Sequence, residues 1–309
     1  MTEPKGLKYI YAGFYKNRTK TIAQVFKILF PNYTIYDFNE NQIINGDLWL
    51  KVMDDNLSKN ERNRLLYEMH KNVDVIIDLP AHLYWKELSE VFPEAKVIFF
   101  ARSEESWVKS ASDQHELVNK LWPWYLSDFL YNNYLKLVAP KTYNKHLWFY
   151  EYFNLCQVDF HGFNRGGLTR NLTGLLGFHG QFYNGKYHVN KFLNKMRFRR
   201  HNADVLYNCP KEKLLHLKED TFNWETICNF TKTDVPKDAK TGKVLDFPHA
   251  NKKGAFINDL MVEDEAPMVV LYRKEVRETL LRWVKMVGFG VVCGVGYYRY
   301  REGTHLRNL

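Results

Sequence analysis

Residues 8–30 read KYIYAGFYKNRTKTIAQVFKILF, and this stretch decides the fold. Its opening, residues 8–12, is a short apolar run that predicts a buried strand ended by Gly13. Apolar residues then recur at helical spacing and predict a helix over residues 21–30, which Pro31 stops. A strand that leads through a short loop into a helix is the first half of a βαβ unit.

The same alternation of strands and helices continues along the chain. Further strands are predicted at residues 34–38, 73–77, 96–100 and 213–217. These runs are continuously apolar rather than alternating, as is typical of strands that are covered on both faces. Helices lie between them, so the sequence predicts an α/β fold with a parallel sheet.

Composition limits the classes of function. The chain has 309 residues, 45% hydrophobic and 26% charged, which excludes a mainly disordered protein or a coiled-coil rod. Its net charge of +9 favours an anionic partner, such as a nucleotide phosphate or an acidic membrane face. No nucleic-acid-binding module is recognised. The four cysteines lie far apart without metal-ligand spacing, and no apolar leader opens the chain, so we expect no metal and a cytoplasmic protein.

The loop between the first strand and its helix is a possible anion site. The N–H groups of a helix N-terminus have no partner within the helix, and the helix dipole favours negative charge there. Lys16, Thr19 and Thr21 add a positive charge and two hydroxyls. The loop does not match the Walker pattern, however, and taken alone it is better explained as a basic surface loop capped by threonine.

Two later strands also end in polar side chains. Arg102 follows the strand at residues 96–100, and Ser110 lies about two helical turns beyond the capping residue Ser103. Arg102 and Ser110 could therefore contact one phosphate, or both could be surface residues. Asp78 ends the strand at residues 73–77, where it could act as a base or as a helix cap.

Taken in order, these stretches resemble the P-loop sulfotransferases, which use 3′-phosphoadenosine-5′-phosphosulfate (PAPS). The likeness covers most of residues 8–251 and is most specific over residues 74–110. It is closest to the branch with an Asp-x-Pro motif. The motifs that carry it are Asp78-Leu79-Pro80, Tyr84-Trp85-Lys86-Glu87-Leu88, Pro93-Glu94-Ala95-Lys96-Val97-Ile98, Arg102 with Trp107 and Ser110, Arg200-His201-Asn202, Trp224-Glu225-Thr226-Ile227-Cys228-Asn229-Phe230 and Phe247-Pro248-His249-Ala250-Asn251.

The resemblance implies a three-layer, P-loop NTPase-like α/β domain with a helical insertion at about residues 112–200. It implies sulfuryl transfer from PAPS to a small molecule with a hydroxyl or amine, without a metal. Asp78 matches the general base, and Lys16 matches the basic residue at the leaving phosphate. The residues that match the PAPS-binding positions are Lys16, Asn17, Arg18, Thr19, Lys20 and Thr21 for the 5′ end, Arg102 and Ser110 for the 3′-phosphate and, more loosely, Lys252, Lys253 and Gly254.

The loop departs from the family at two positions. Arg18 stands where glycine is usual, and Tyr15 stands where proline is common. Arginine in a left-handed conformation costs roughly 1 kcal/mol or more, but its charge could also bind the phosphate. A nucleotide-binding or interaction protein without turnover is therefore the alternative function. A nucleotide kinase fits less well, because the Walker lysine is missing.

The C-terminal part is apolar and basic at both ends. Its uncharged segment, residues 286–298, is too short to span a bilayer, but residues 281–300 reach about 30 Å as a helix. We therefore expect two parts: a domain over residues 1–280 and a hydrophobic tail over residues 281–309. The tail is either a packed helix or a helix that attaches the protein to a membrane.

Overall fold

A computed structural model describes residues 6–121, 136–141, 143, 182–183, 186–187, 191–249 and 267–305. Five parallel strands form one sheet in the order β2-β3-β1-β4-β7. A separate hairpin pairs β5 with β6 in antiparallel fashion. The strands are β1 (Tyr9–Tyr11), β2 (Ile35–Tyr36), β3 (Val75–Ile76), β4 (Lys96–Phe100), β5 (Phe182–Tyr183), β6 (Lys186–Tyr187) and β7 (Leu214–Leu217).

Both faces of the five-stranded sheet are covered by helices. Alternate residues of each strand point to opposite faces, so that Tyr9 and Tyr11 join one hydrophobic cluster while Ile10 joins the other. The helices, with a 3₁₀ turn at Ala81–Tyr84, are α1 (Thr19–Leu29), α2 (Phe38–Ile43), α3 (Gly46–Val52), α4 (Lys59–His70), α5 (Trp85–Val91), α6 (Glu104–Leu121), α7 (Lys191–Asn208), α8 (Trp224–Thr231) and α9 (Pro267–His305).

Each face has its own set of helices. Ile22 and Phe26 of α1 and Ile227 of α8 pack on one side of the sheet. Residues of α3 to α7, among them Trp49 and Trp107, pack on the other. This is the parallel α/β architecture that the sequence predicted, and the five predicted strands of the sheet are confirmed.

The region between β2 and β3 holds three helices that the sequence reading did not identify. Asp37 caps α2 and Ser58 caps α4, each through a capping box with a glutamate three residues later, Glu40 and Glu61.

The predicted insertion at about residues 112–200 contributes the end of α6 and the start of α7. Most of its remainder lies outside the described residues.

Helix α9 contains the predicted apolar tail and begins before it, at Pro267. Its first half docks on the domain: Glu275 accepts a hydrogen bond from the Lys141 amide at 2.9 Å, and Trp283 packs near Val138. The predicted boundary at residue 280 falls inside this helix. Among the described residues, no helix is long and apolar enough to cross a membrane.

Candidate functional site

The candidate site lies where β1, β3 and β4 end. These strands are neighbours in the sheet and all run in the same direction, so their carboxyl ends meet at one edge. The loop of residues 12–18 follows β1, Asp78 follows β3, and Arg102 follows β4. Open parallel sheets bind ligands at this edge.

The carbonyl groups of the loop point into the protein, where side chains donate hydrogen bonds to them. Trp107 Nε1 donates to Tyr15 O at 2.7 Å, and Arg102 Nη1 donates to Lys16 O at 2.6 Å. The Tyr11 hydroxyl donates to Asn17 O. The loop is therefore fixed from behind, and it leads into the N-terminus of α1, where the helix dipole favours an anion.

The backbone of the site is strained at three positions. Lys16, Arg18 and Asp78 have φ angles of 59°, 67° and 69°, a left-handed region that non-glycine residues seldom adopt. Such residues cluster at functional sites, where the surrounding structure holds them in place. Gly13 is constrained in a different way, because a Cβ there would lie 2.6 Å from the Tyr11 hydroxyl oxygen.

Asp78 is buried, with 6% of its surface exposed, and it is surrounded by donors and charges. Its Oδ1 accepts from the Leu79 amide at 2.8 Å, and the Thr19 hydroxyl also donates to it. Burial raises the pKa of the Asp78 carboxyl, Lys20 lowers it, and Asp37 raises it again. Asp78 does not cap the next helical turn, since the N-cap there is Pro80.

Lys16 and Arg102 carry positive charge into the same space. Burial lowers the pKa of the Lys16 ammonium. Asp78 raises this pKa, and Arg102 lowers it. Burial also lowers the pKa of the Arg102 guanidinium, and nearby Arg18 lowers it too. Arg102 Nε donates to Ser106 Oγ at 2.9 Å. The repulsion between these neighbouring cations makes the surface suited to an anion.

Arg18 reaches across the edge of the site. It caps α1 through its backbone, without a capping hydrogen bond from its side chain. Its Nη2 lies 2.8 Å from Glu219 Oε2 on the segment after β7. The guanidinium carbon lies 5.6 Å from the ring centre of Phe100 and 5.9 Å from that of Phe222. The side chain therefore links the loop after β1 to the segment after β7.

The other predicted residues are placed as follows. Asn17 turns inward and donates to Phe100 O at 2.7 Å, so its side chain braces the loop. Thr21 is buried in α1, and Lys20 pairs with Asp37 at 2.6 Å. Ser110 is partly buried in α6, two turns after Ser103, which caps that helix. Lys252, Lys253 and Gly254 lie outside the described residues.

Sequence reasoning missed several residues of this site. His201 hydrogen bonds to Ala12 O at 2.6 Å, and burial lowers its pKa to about 4. His82 lies with its ring 5.3 Å from that of His201, and burial lowers its pKa as well. Asp37 directly follows β2 at the same sheet edge. The capping-box spacing of Asp37 and Glu40, at the end of a predicted strand, was the signal that could have found it.

The comparison with known protein families identifies the chain. A family model described as a sulfotransferase domain matches residues 8–256, which is well over half of the sequence. The chain therefore belongs to the sulfotransferase domain family. No curated protein is similar enough in sequence to count as a relative. Within the described residues, no group of three or more histidine, cysteine or acidic side chains could hold a metal ion.

Proposed function

We propose that the protein transfers the sulfuryl group of PAPS to a hydroxyl or amine acceptor. The observation that carries this proposal is the meeting of Asp78, Lys16 and Arg102 at one sheet edge, behind a loop whose carbonyls face inward. The residues fit a phosphorylated donor, because that edge combines cations with the open N-terminus of α1. When bound, PAPS supplies an activated sulfuryl group on a phosphate leaving group.

Each residue has a proposed task. Asp78 takes the proton from the acceptor as the acceptor oxygen or nitrogen forms its bond to sulfur. Lys16 stabilises the negative charge that develops on the phosphate oxygen when its bond to sulfur breaks. The loop and α1 bind the 5′ end, Arg102 and Ser110 bind the 3′-phosphate, and Lys252, Lys253 and Gly254 complete that contact.

The ion pair between Arg18 and Glu219 favours a second candidate function, a sulfotransferase-like protein that binds the nucleotide without turnover. Arg18 stands where the family usually has glycine, and its charge is directed to Glu219 at 2.8 Å. Retained nucleotide binding together with no consumption of PAPS would indicate this second function.

The test combines a binding assay and a transfer assay on the full chain. Adenosine 3′,5′-bisphosphate should raise the melting temperature. At a concentration of 100 times Kd it should raise the free energy of unfolding by about 2.7 kcal/mol. Adenosine 5′-monophosphate should do much less, because it lacks the 3′-phosphate. Equal shifts from the two nucleotides would remove the roles given to Arg102 and Ser110.

The transfer assay uses radiolabelled PAPS with a pooled panel of hydroxyl and amine acceptors. Asp78→Asn keeps the side chain's shape but removes the base, so turnover should fall about 10²–10⁴-fold while PAPS affinity changes little. Asp74→Asn is the matched control, since Asp74 lies at the opposite end of β3, paired with Lys8. Unchanged turnover in Asp78→Asn would show that Asp78 is not the base.

A further inference from the structure

Asp37 and Lys20 form a shielded ion pair at the same sheet edge as Asp78. Lys20 Nζ lies 2.6 Å from Asp37 Oδ2, and the two side chains are only 14% and 16% exposed. Lys20 follows Thr19, whose hydroxyl donates to Asp78. The pair is therefore far less screened by solvent than an ordinary surface salt bridge.

The backbone fixes Asp37 relative to Asp78. Strands β2 and β3 are hydrogen-bonded neighbours, and the Ile77 amide donates to Tyr36 O at 2.8 Å. Asn41 Nδ2 then donates to Ile77 O at 3.1 Å and to Leu79 O at 3.2 Å, the carbonyls on either side of Asp78. The start of α2 is thus tied directly to the segment that carries Asp78.

We propose that Asp37 is a positioning residue for the reaction: paired with Lys20 at the edge where Asp78 lies, it sets how strongly Asp78 acts as a base. This proposal rests on the proposed function of Asp78. The Asp37 side chain is directed to Lys20 and to the Phe38 amide at the start of α2, so its effect on the reaction acts through Asp78.

The charges near Asp78 determine the direction of each effect. A neighbouring carboxylate favours the protonated form of Asp78, and a neighbouring ammonium favours the ionised form. Asp37 and Lys20 act on Asp78 in these opposite senses. The other titratable groups near Asp78 are Lys16 of the loop, Tyr11 of β1, and His82 of the 3₁₀ turn, which bonds to the Asp78 backbone.

Two substitutions should therefore move the titration of Asp78 in opposite directions. Asp37→Asn removes the negative charge of the pair and keeps the positive one, so the midpoint should fall. Lys20→Gln removes the positive charge and keeps the negative one, so the midpoint should rise. The double variant removes both charges of the pair, so its Asp78 midpoint should lie between those of the two single variants.

The midpoint is measured by NMR on the nucleotide-free full chain with ¹³C-carboxyl-labelled aspartate, and the Asp78 signal is assigned from its loss in Asp78→Asn. Asparagine can still cap α2, and the matched control Glu40→Gln alters the same capping box but keeps Asp37, which pairs with Lys20. Melting temperatures of the two variants show whether α2 stays folded. Midpoints that stay fixed, or that move in the same direction, would overturn the proposal.

The pH profile of kcat/KM for sulfuryl transfer, at saturating PAPS, is the second readout. The acid limb should shift to lower pH in Asp37→Asn, and kcat on the plateau should fall about threefold to tenfold because the base is weaker. If the NMR midpoints move as expected but Asp78→Asn keeps its turnover, the base role fails and the proposal fails with it. If the midpoints do not move while Asp78→Asn is inactive, only the proposal for Asp37 fails.

Discussion

At the scale of single residues, Arg18 combines a left-handed backbone with an ion pair to Glu219. A left-handed arginine at the start of α1 is strained by roughly 1 kcal/mol or more, and its side chain is held by Glu219 and lies near two phenylalanine rings. The arginine therefore lies in the loop, but its charge is directed to Glu219. Whether it binds the phosphate depends on how firmly Glu219 holds it.

Glu219→Gln should strengthen the binding of adenosine 3′,5′-bisphosphate. The substitution frees the Arg18 guanidinium for the anion, and an exposed ion pair of this kind is worth up to about 1 kcal/mol, or about fivefold in Kd. Isothermal titration calorimetry measures the change. The gain should disappear in the double variant Arg18→Gly, Glu219→Gln.

The control for that prediction is Asp220→Asn, which removes the same charge from the neighbouring position. If both substitutions strengthened binding equally, the effect would be one of net charge alone. The role of Glu219 as the partner that restrains Arg18 would then be rejected.

At the scale of elements, predictability follows the length and clarity of the apolar pattern. Strand β4 was predicted with its exact bounds because residues 96–100 form an uninterrupted run. Helix α4 was missed because its sequence is mostly polar, with only Leu66, Met69 and His70 buried. The spacing of Ser58 and Glu61, a capping box, is the sequence signal that marks the start of this helix.

The candidate site was predictable to the same degree as the strands that carry it. Residues at the carboxyl ends of β1, β3 and β4 must meet once the sheet is parallel, so Lys16, Asp78 and Arg102 could be grouped from sequence. The histidines could not, because His201 reaches Ala12 from α7, 189 residues away along the chain. The proposed roles of Lys16, Asp78 and Arg102 stay predictions.

The long helix α9 has two halves that should respond differently to deletion. Trp283 packs on the domain, whereas Val284, Met286, Val287 and Phe289 are 62–72% exposed. Removing residues 285–309 should leave the melting temperature and nucleotide binding nearly unchanged. Removing residues 267–309 should lower the melting temperature, because it uncovers Val138 and Ala139.

The same deletion tests the membrane attachment expected from the sequence. If attachment occurs through the segment from residue 285 onward, cell fractionation should find the full chain with membranes and the chain without residues 285–309 in the supernatant. Equal distribution of the two proteins would reject attachment by this segment.

At the scale of the whole molecule, buried histidines should make the fold sensitive to acid. His70 has none of its surface exposed and hydrogen bonds to Leu66 O at 2.8 Å, and burial lowers its pKa to about 4. The unfolded chain, with a pKa near 6.5, binds a proton first. His70 therefore contributes stability that is present above about pH 6.5 and is lost as the pH falls towards 4.

The loss from His70 should amount to about 2–3 kcal/mol between pH 7.5 and pH 4.5. Urea unfolding at both pH values measures it, and His70→Gln should reduce the difference by this amount. His249→Gln, at an exposed position in the loop after α8, is the control and should leave it unchanged. An equal slope in wild type and His70→Gln would show that other groups cause the acid sensitivity.

The hydrogen bond between Trp107 and the loop gives the protein its own spectroscopic reporter. The indole N–H donates to Tyr15 O at 2.7 Å, and the indole ring is stacked on Phe198 with ring centres 4.5 Å apart. Because the ring is held from one side and attached to the loop on the other, a ligand that displaces the loop changes the magnetic environment of that proton. In ¹⁵N-labelled protein, the indole ¹⁵N–¹H resonance of one native tryptophan can therefore follow occupancy of the site without an attached probe.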